Sequence, residues 1–179
     1  QKEKKDYIYV GRLEESKGIY ELLKVWDTLD EKFILTIIGG GEIEEGLKSK
    51  YNKSNIIFKG KCSREKTLKS ISKAKYLIQP SVLYETFGLT IIEAMSFGVI
   101  PVVYGSYSAV YDIISDGVDG VILPYNKKGY DTEFATEKMK ELMLDADKRN
   151  NLAQAAIITS KRYSVESIVD SWNKLFAKL

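Results

Sequence analysis

The sequence predicts an α/β fold: a doubly wound, Rossmann-like parallel sheet of about six strands with helices on both faces, followed by extra C-terminal helices. Short apolar runs alternate with amphipathic segments of helical spacing, which is typical of consecutive strand–helix units. The apolar runs are nearly continuous, as expected for parallel strands buried on both faces and joined by right-handed crossovers. One domain is expected over residues 1–179, with a polar lead-in at 1–6, the core at 7–124 and C-terminal helices at 125–179.

The individual elements follow from local patterns. Glycines end several apolar runs, and Ser63 is a suitable N-cap because its side chain can accept a hydrogen bond from the following helix. Strands are predicted at residues 7–11, 33–41, 55–60, 76–80, 99–104 and 120–124. Helices are predicted at residues 19–29, 42–51, 64–71, 88–97, 109–115, 131–145, 147–161 and 164–178.

The composition excludes several classes of protein. Lys and Arg number 27 against 25 Asp and Glu, so the formal net charge of +2 is too small to indicate a nucleic-acid-binding protein. No apolar run approaches the roughly 20 residues of a membrane span, and no signal segment stands at the start, which predicts a cytoplasmic protein. The single cysteine, Cys62, excludes an intramolecular disulfide and is interpreted as a packing residue.

The first candidate site residues come directly after predicted strands, where the loops of a parallel sheet converge and helix N-termini present free N–H groups. Arg12 and Lys17 follow the first strand and together suit a diphosphate, although two such residues also fit an ordinary solvated loop. Gly39, Gly40 and Gly41 follow the second strand and permit close approach of a ligand, but any tight turn also needs glycine. They do not form the dinucleotide pattern, because its later glycines are missing.

Two glutamates, Glu85 and Glu93, flank the start of the helix predicted after the fourth strand. If that helix begins near Gly88, the backbone N–H groups of residues 88–90 form an anion site that could hold a phosphate. Ionised carboxylates accept hydrogen bonds and sugars present hydroxyl donors in pairs, so Glu93 suits vicinal hydroxyls and Glu85 a second polyol. The alternative is that both carboxylates are simply solvated.

Four segments, in this order, resemble the signatures of a known family: GRLEESKG, LTIIGGGE, NIIFKG and PSVLYETFGLTIIEAMSFGVIPVV. They are similar to the C-terminal, donor-binding domain of retaining GT-B glycosyltransferases, in family four and its glycogen-synthase-like relatives. The resemblance covers residues 7–124, and its most specific element is the spacing of Glu85 and Glu93 with FG and EAM near them. It implies one half of a GT-B enzyme, cut from a longer protein whose N-terminal, acceptor-binding domain is absent.

The resemblance implies a role for each candidate residue. Arg12 and Lys17 correspond to the pair that binds the donor diphosphate and stabilises it as it leaves. Glu85 corresponds to the glutamate near the donor sugar and completes the predicted catalytic residues, whereas Glu93 corresponds to the glutamate on the ribose hydroxyls. The other predicted nucleotide-sugar contacts are Gly39, Gly40, Gly41, Lys61 in the base-recognition turn, Phe87, Gly88, Leu89 and Thr90.

The implied function is to bind a UDP-sugar or GDP-sugar for transfer, with retention, to a glycan or lipid-linked acceptor held by the missing domain. Fixed cations and a helix N-terminus can stabilise a leaving diphosphate, so neither a metal nor another cofactor is expected. The resemblance also implies a role in a bacterial surface polysaccharide or glycolipid pathway at the cytoplasmic side of a membrane. The full-length protein is then expected to be peripheral to that membrane. Residues 1–179 alone are expected to transfer sugar poorly or not at all.

Two other functions remain open at this point. A GT-B-like nucleotide-sugar epimerase shares the architecture, although the spacing of Glu85 and Glu93 disfavours it. A non-catalytic nucleotide-binding α/β module would share the fold alone. The sequence also departs from the family pattern after the fifth strand, where Asp112 stands in place of the usual glutamate and GSYSAV replaces a more glycine-rich turn.

The last predicted helix has a continuous apolar stripe. Most such stripes belong to the core, and the alternative is contact with the missing domain, since exposed apolar patches usually mark partners. The stripe consists of Val165, Ile168, Val169, Trp172, Leu175, Phe176 and Leu179.

Overall fold

The computed structural model describes residues 5–82, 87–124, 126 and 130–178. The strands are β1 (Lys5–Val10), β2 (Leu35–Ile38), β3 (Ile56–Phe58), β4 (Ala74–Gln79), β5 (Ile100–Tyr104) and β6 (Val121–Leu123). They form one sheet in the order β3-β2-β1-β4-β5-β6, in which every neighbouring pair is parallel. This arrangement confirms the predicted doubly wound, Rossmann-like α/β fold.

The helices lie within a few residues of their predicted bounds. They are α1 (Ile19–Thr28), α2 (Glu44–Lys50), α3 (Arg64–Ile71), α4 (Leu89–Ser96), α5 (Ala109–Ile113), α6 (Thr132–Leu144), α7 (Ala146–Ser160) and α8 (Val165–Phe176). The Ser63 hydroxyl oxygen accepts a hydrogen bond from the Lys66 backbone N–H at 3.4 Å, which confirms the predicted N-cap of α3. In the described part of the chain, no helix combines the length and apolar character that crossing a membrane requires.

Both faces of the sheet carry a hydrophobic core. Along β1, the side chains of Tyr7 and Tyr9 belong to the core covered by α1 and α6, whereas Ile8 belongs to the core covered by α4 and α5. Trp26 of α1 is fully buried in the first core, where its Nε1 donates a hydrogen bond to the carbonyl oxygen of Phe33 at 3.0 Å. Burial on both faces explains why the strands read as continuous apolar runs.

The strand order creates a crevice between β1 and β4. Strands run outward from β1 to β3 on one side and from β4 to β6 on the other, so the direction of winding reverses between these two neighbours. At such a switch point, the loops that follow the two strands diverge to opposite faces and leave space at the carboxyl ends. Candidate residues that follow β1 and β4 therefore share one edge of the sheet.

The apolar stripe of α8 does not belong to the core, which is where most such stripes lie. The interpretation of its apolar stripe as core is wrong, because none of the described side chains of α8 is buried. Trp172 is 54% exposed, and its ring stacks on Phe176 of the same helix with the centroids 5.6 Å apart. The periodicity that identifies an amphipathic helix does not say what covers its apolar face. Contact with a missing domain stays a prediction.

Candidate functional site

A small cleft lies at the carboxyl ends of β1 and β4, beside the first turn of α4. Its volume is about 170 Å³. It brings together Lys17 and Thr90, two predicted donor-binding residues that are far apart in the sequence. The cleft occupies the switch point, which is where sheets of this order bind ligands. Its lining residues are Tyr9, Val10, Gly11, Lys17, Gln79, Ser81 and Thr90.

The loops after β1 and β2 are packed backbone against backbone. The Gly11 N–H donates a hydrogen bond to the carbonyl oxygen of Ile38 at 3.0 Å. Gly39 has a φ of 144°, and a Cβ there would collide with the carbonyl oxygen of Gly11. A Cβ on Gly41 would likewise collide with the carbonyl oxygen of Leu13. These two glycines therefore have a structural reason to be glycine, independent of any ligand.

Arg12 and Lys17 belong to the same loop, but of the two only Lys17 lines the cleft. The Arg12 side chain is 73% exposed, lies outside the cleft lining, and places its Nη1 3.1 Å from Oε2 of Glu14. The guanidinium of Arg12 is thus paired with Glu14, and the predicted pair is not brought together in the cleft.

The predicted base-recognition turn adjoins the glycine turn after β2. A Cβ on Gly40 would meet side-chain carbons of Lys61 at 3.0 Å, so the lysine stem lies across that glycine. The Gly39 N–H also donates a hydrogen bond to the carbonyl oxygen of Gly60 at 3.0 Å. The structure therefore brings Lys61 against Gly40 in the glycine turn.

Helix α4 starts at a glycine, as predicted. Gly88 adopts a φ of 80° as N-cap, and because glycine has no side chain, it offers no side-chain cap to the helix. Among the described residues no side chain caps the first N–H groups of α4, which leaves them available to an anion. The neighbouring apolar side chains of Phe87 and Leu89 are 42% and 66% exposed. The Phe87 ring also contacts the ring of Tyr163 edge-on, with the centroids 5.8 Å apart.

Of the two glutamates, Glu93 has a defined partner that sequence reasoning missed. Its side chain is 24% exposed, and its Oε1 accepts a hydrogen bond from Nη2 of Arg64 at 2.6 Å. Arg64 is the first residue of α3, immediately after the N-cap of that helix. No local pattern links two residues on different helices, so the sequence offers no signal for this pair. Glu85 lies outside the described residues, and its place beside the donor sugar stays a prediction.

Gln79 is a second residue that the sequence reasoning missed. It ends β4 and lines the cleft, and its Oε1 is one of the few buried side-chain oxygens in the described residues that lack a hydrogen-bond partner. A polar residue at the end of an apolar strand was the available signal. The loop after β5 also adjoins this edge, because the Ser106 hydroxyl donates a hydrogen bond to the carbonyl oxygen of Ser81.

The described residues offer no cluster of metal ligands. Across residues 5–82, 87–124, 126 and 130–178, no group of three or more His, Cys, Asp or Glu residues is placed to hold a metal ion. Metal independence of the chemistry stays a prediction, because it concerns the reaction rather than the ligand set.

Sequence comparison identifies relatives over most of the chain. It is 27% identical over 168 residues to the amylovoran biosynthesis glycosyltransferase AmsD of Erwinia amylovora, covering 93% of this chain and 46% of AmsD. It is 30% identical over 166 residues to the sulfoquinovosyl transferase SQD2 of Arabidopsis thaliana, covering 90% of this chain and 31% of SQD2. The chain therefore spans between about a third and about half of the length of these relatives.

Structural comparison agrees with the fold. The crystal structure of HepE from Anabaena in complex with UDP and glucose matches with a TM-score of 0.81 at 17% identity, over 97% of this chain and 48% of HepE. At that identity the likeness shows the fold alone, and it confirms the predicted GT-B half. The sequence profile of glycosyl transferases group 1 matches residues 1–159, which include every candidate site residue. The chain therefore belongs to the glycosyl transferases group 1 family, as the resemblance of its motifs implies.

Proposed function

We propose that this chain is the donor-binding domain of a retaining glycosyltransferase that moves a sugar from a UDP-sugar or GDP-sugar to a glycan or glycolipid acceptor. The observation that carries the proposal is the cleft at the switch point, where Lys17 meets the first turn of α4, whose N-cap is a glycine. A cation and free N–H groups at one point suit a diphosphate. Family membership and the UDP bound by HepE support the same class of ligand.

In the proposed reaction, the bond between the anomeric carbon of the donor sugar and the diphosphate oxygen breaks, and its electron pair stays on the departing diphosphate. An acceptor hydroxyl oxygen forms the new bond to the anomeric carbon from the same face, and the proton of that hydroxyl passes to the diphosphate. Lys17 and the first turn of α4 stabilise the charge that develops there, without a metal ion. Arg12 joins them by exchanging Glu14 for a phosphate oxygen. Exposed ion pairs are worth only about 0–1 kcal/mol, so this exchange costs little.

The rest of the donor is held by the surrounding loops. Glu93 accepts hydrogen bonds from the ribose hydroxyls, and the turn that contains Lys61 contacts the base. The backbone of residues 87–90 contacts the sugar and phosphate, with the glycine turn at 39–41 beside them. Glu85 reaches the donor sugar. The stem of Lys61 beside Gly40, and the contact of Glu93 with Arg64 at the start of α3, support this arrangement.

The acceptor side of the reaction belongs to a second domain in this proposal. The chain spans 46% of AmsD and 31% of SQD2, which is consistent with a longer enzyme. The exposed apolar stripe of α8 would pack on that N-terminal domain, since apolar surface is stabilised when it is buried. The full enzyme would act at the cytoplasmic side of a membrane, and residues 1–179 alone would bind the donor but transfer sugar poorly or not at all.

Thermal denaturation with UDP, GDP and ADP, each with and without Mg²⁺, tests the proposal. A ligand at a hundred times its Kd stabilises the folded state by about 2.7 kcal/mol, which for a chain of this size raises Tm by about 5–10 °C. UDP or GDP is expected to do so without Mg²⁺. Lys17→Ala should remove most of the shift, whereas Lys24→Ala, on α1 outside the cleft, should leave it intact. No shift with any nucleotide, or equal effects of both variants, would contradict the proposal.

A further inference from the structure

We infer that Arg64 is a positioning residue of the donor site, which holds the Glu93 carboxylate so that its second oxygen accepts hydrogen bonds from the ribose hydroxyls. The inference rests on the proposed function, because it gives Glu93 the ribose as its ligand. It adds a residue that no motif of the chain indicates, and it assigns Arg64 to ribose recognition rather than to the base or the diphosphate.

The contact between the two side chains is close and one-sided. Nη2 of Arg64 donates to Oε1 of Glu93 at 2.6 Å, slightly shorter than the range of about 2.7–2.9 Å that is typical of a charge-assisted N–H···O hydrogen bond. The contact uses one carboxylate oxygen. An ionised carboxylate has about four lone-pair positions over its two oxygens, so Oε2 still has capacity for hydroxyl donors. Arginine and ribose can therefore occupy Glu93 together.

The backbone of Arg64 is well placed to act as an anchor. The side chain is 76% exposed, but α3 itself is held by the Ser63 cap and by Ile71, which is fully buried in the core under α4. Glu93, on α4, is less exposed, with 24% of its side chain accessible to solvent. A fixed helix start and a short hydrogen bond together restrict the rotamers of Glu93, and a ligand then loses less freedom when it binds.

Comparing the affinity for a ribonucleotide with the affinity for its dideoxy analogue distinguishes this role from direct contact with the base or the phosphate. UDP, GDP and their 2′,3′-dideoxy analogues are titrated against the wild-type chain, Arg64→Ala, Arg64→Lys, Glu93→Gln and the double variant Arg64→Ala/Glu93→Gln. Lys66→Ala is the matched control, since it removes one positive charge from the same helix two residues away. Circular dichroism confirms that each variant is folded.

Arg64→Ala is expected to weaken binding of the ribonucleotide three- to tenfold and to change binding of its dideoxy analogue by less than twofold. Arg64→Lys should recover part of the loss, because lysine keeps the charge but not the planar fork. In the Glu93→Gln background, Arg64→Ala should add nothing, since both changes act on one interaction. Lys66→Ala should behave as wild type.

Three results would overturn the inference while leaving the proposed function intact: equal losses for both ligands, which indicate direct contact with base or phosphate; unchanged or tighter ribonucleotide binding; or additive effects with Glu93→Gln. If the wild-type chain binds both ligands of a pair equally, the ribose role of Glu93 fails and Arg64 fails with it. If it binds no nucleoside diphosphate at all, the proposed function fails as well.

Discussion

Gln79 at the end of β4 offers a stability test of the cleft. Its Oε1 is buried without a hydrogen-bond partner among the described residues, and such an acceptor costs about 1–3 kcal/mol. Gln79 is half-buried, so the lower end of that range applies. Gln79→Met keeps the length of the side chain and removes the unsatisfied oxygen. We expect the variant to be more stable by about 1 kcal/mol, which raises Tm by about 2–4 °C for a chain of this size.

The same substitution should weaken nucleotide binding if the Gln79 oxygen meets a ligand hydroxyl in the cleft. A typical hydrogen bond contributes about 0.5–1.5 kcal/mol, which corresponds to a loss of about two- to tenfold in affinity. Differential scanning fluorimetry with and without UDP or GDP measures both effects in one series. A lower Tm for Gln79→Met, or unchanged nucleotide affinity, would refute the reasoning.

Asn55 provides the matched control for Gln79. Its Oδ1 is also buried without a partner among the described residues, but its Nδ2 donates to the carbonyl oxygens of Asp30 at 3.3 Å and Phe33 at 3.1 Å. Asn55→Leu removes these two bonds, although each carbonyl oxygen keeps one other donor: the Phe33 N–H for Asp30 and Nε1 of Trp26 for Phe33. It should therefore lower Tm, in contrast to Gln79→Met.

Two further predictions concern the turn after β2 and the surface of α6. Gly39→Ala places a Cβ against a carbonyl oxygen at a φ of 144°, so it should lower the free energy of unfolding, measured by urea denaturation, by at least about 1–3 kcal/mol. Gly46→Ala, on α2 with open space around its Cβ, should instead raise that free energy by about 0.5–1 kcal/mol. Hydrogen bonds from Lys138 and then Lys148 lower the pKa of Glu141 from 4.5 to about 2. A carboxyl group whose pKa is lowered by folding stabilises the folded state at pH values above its unfolded-state pKa. For an exposed group this contribution is below about 1 kcal/mol. It should be lost as the pH falls from 4.5 to about 2. An NMR titration of Glu141 with a midpoint near 4.5 would contradict it.

Much of the fold was predictable because it depends on residues close together in the chain. The apolar runs of β1 and β4 are continuous because both of their faces are buried, and that property is visible in the sequence alone. Ser63 caps α3 through a hydrogen bond to a residue three positions away, so local reasoning could find it. Gly88 can start α4 because glycine adopts the positive φ of 80° without strain, and that is a property of the residue itself.

The candidate site was predictable in part. The motifs placed Lys17 and Thr90 after β1 and β4, and the strand order then brought them to one cleft. The sequence could not show that Arg12 points to Glu14 instead of joining Lys17, because the orientation of an exposed side chain depends on nearby partners in space.

By itself, the sequence determined the order of strands and helices, the amphipathic character of α8 and the family to which the chain belongs, since each depends on local periodicity or on motifs in order. The tertiary structure alone decided that Arg64 pairs with Glu93, that the oxygen of Gln79 is buried without a partner among the described residues, and that the apolar face of α8 is uncovered. Those features depend on how separate elements pack, and periodicity identifies an apolar face without identifying what lies against it.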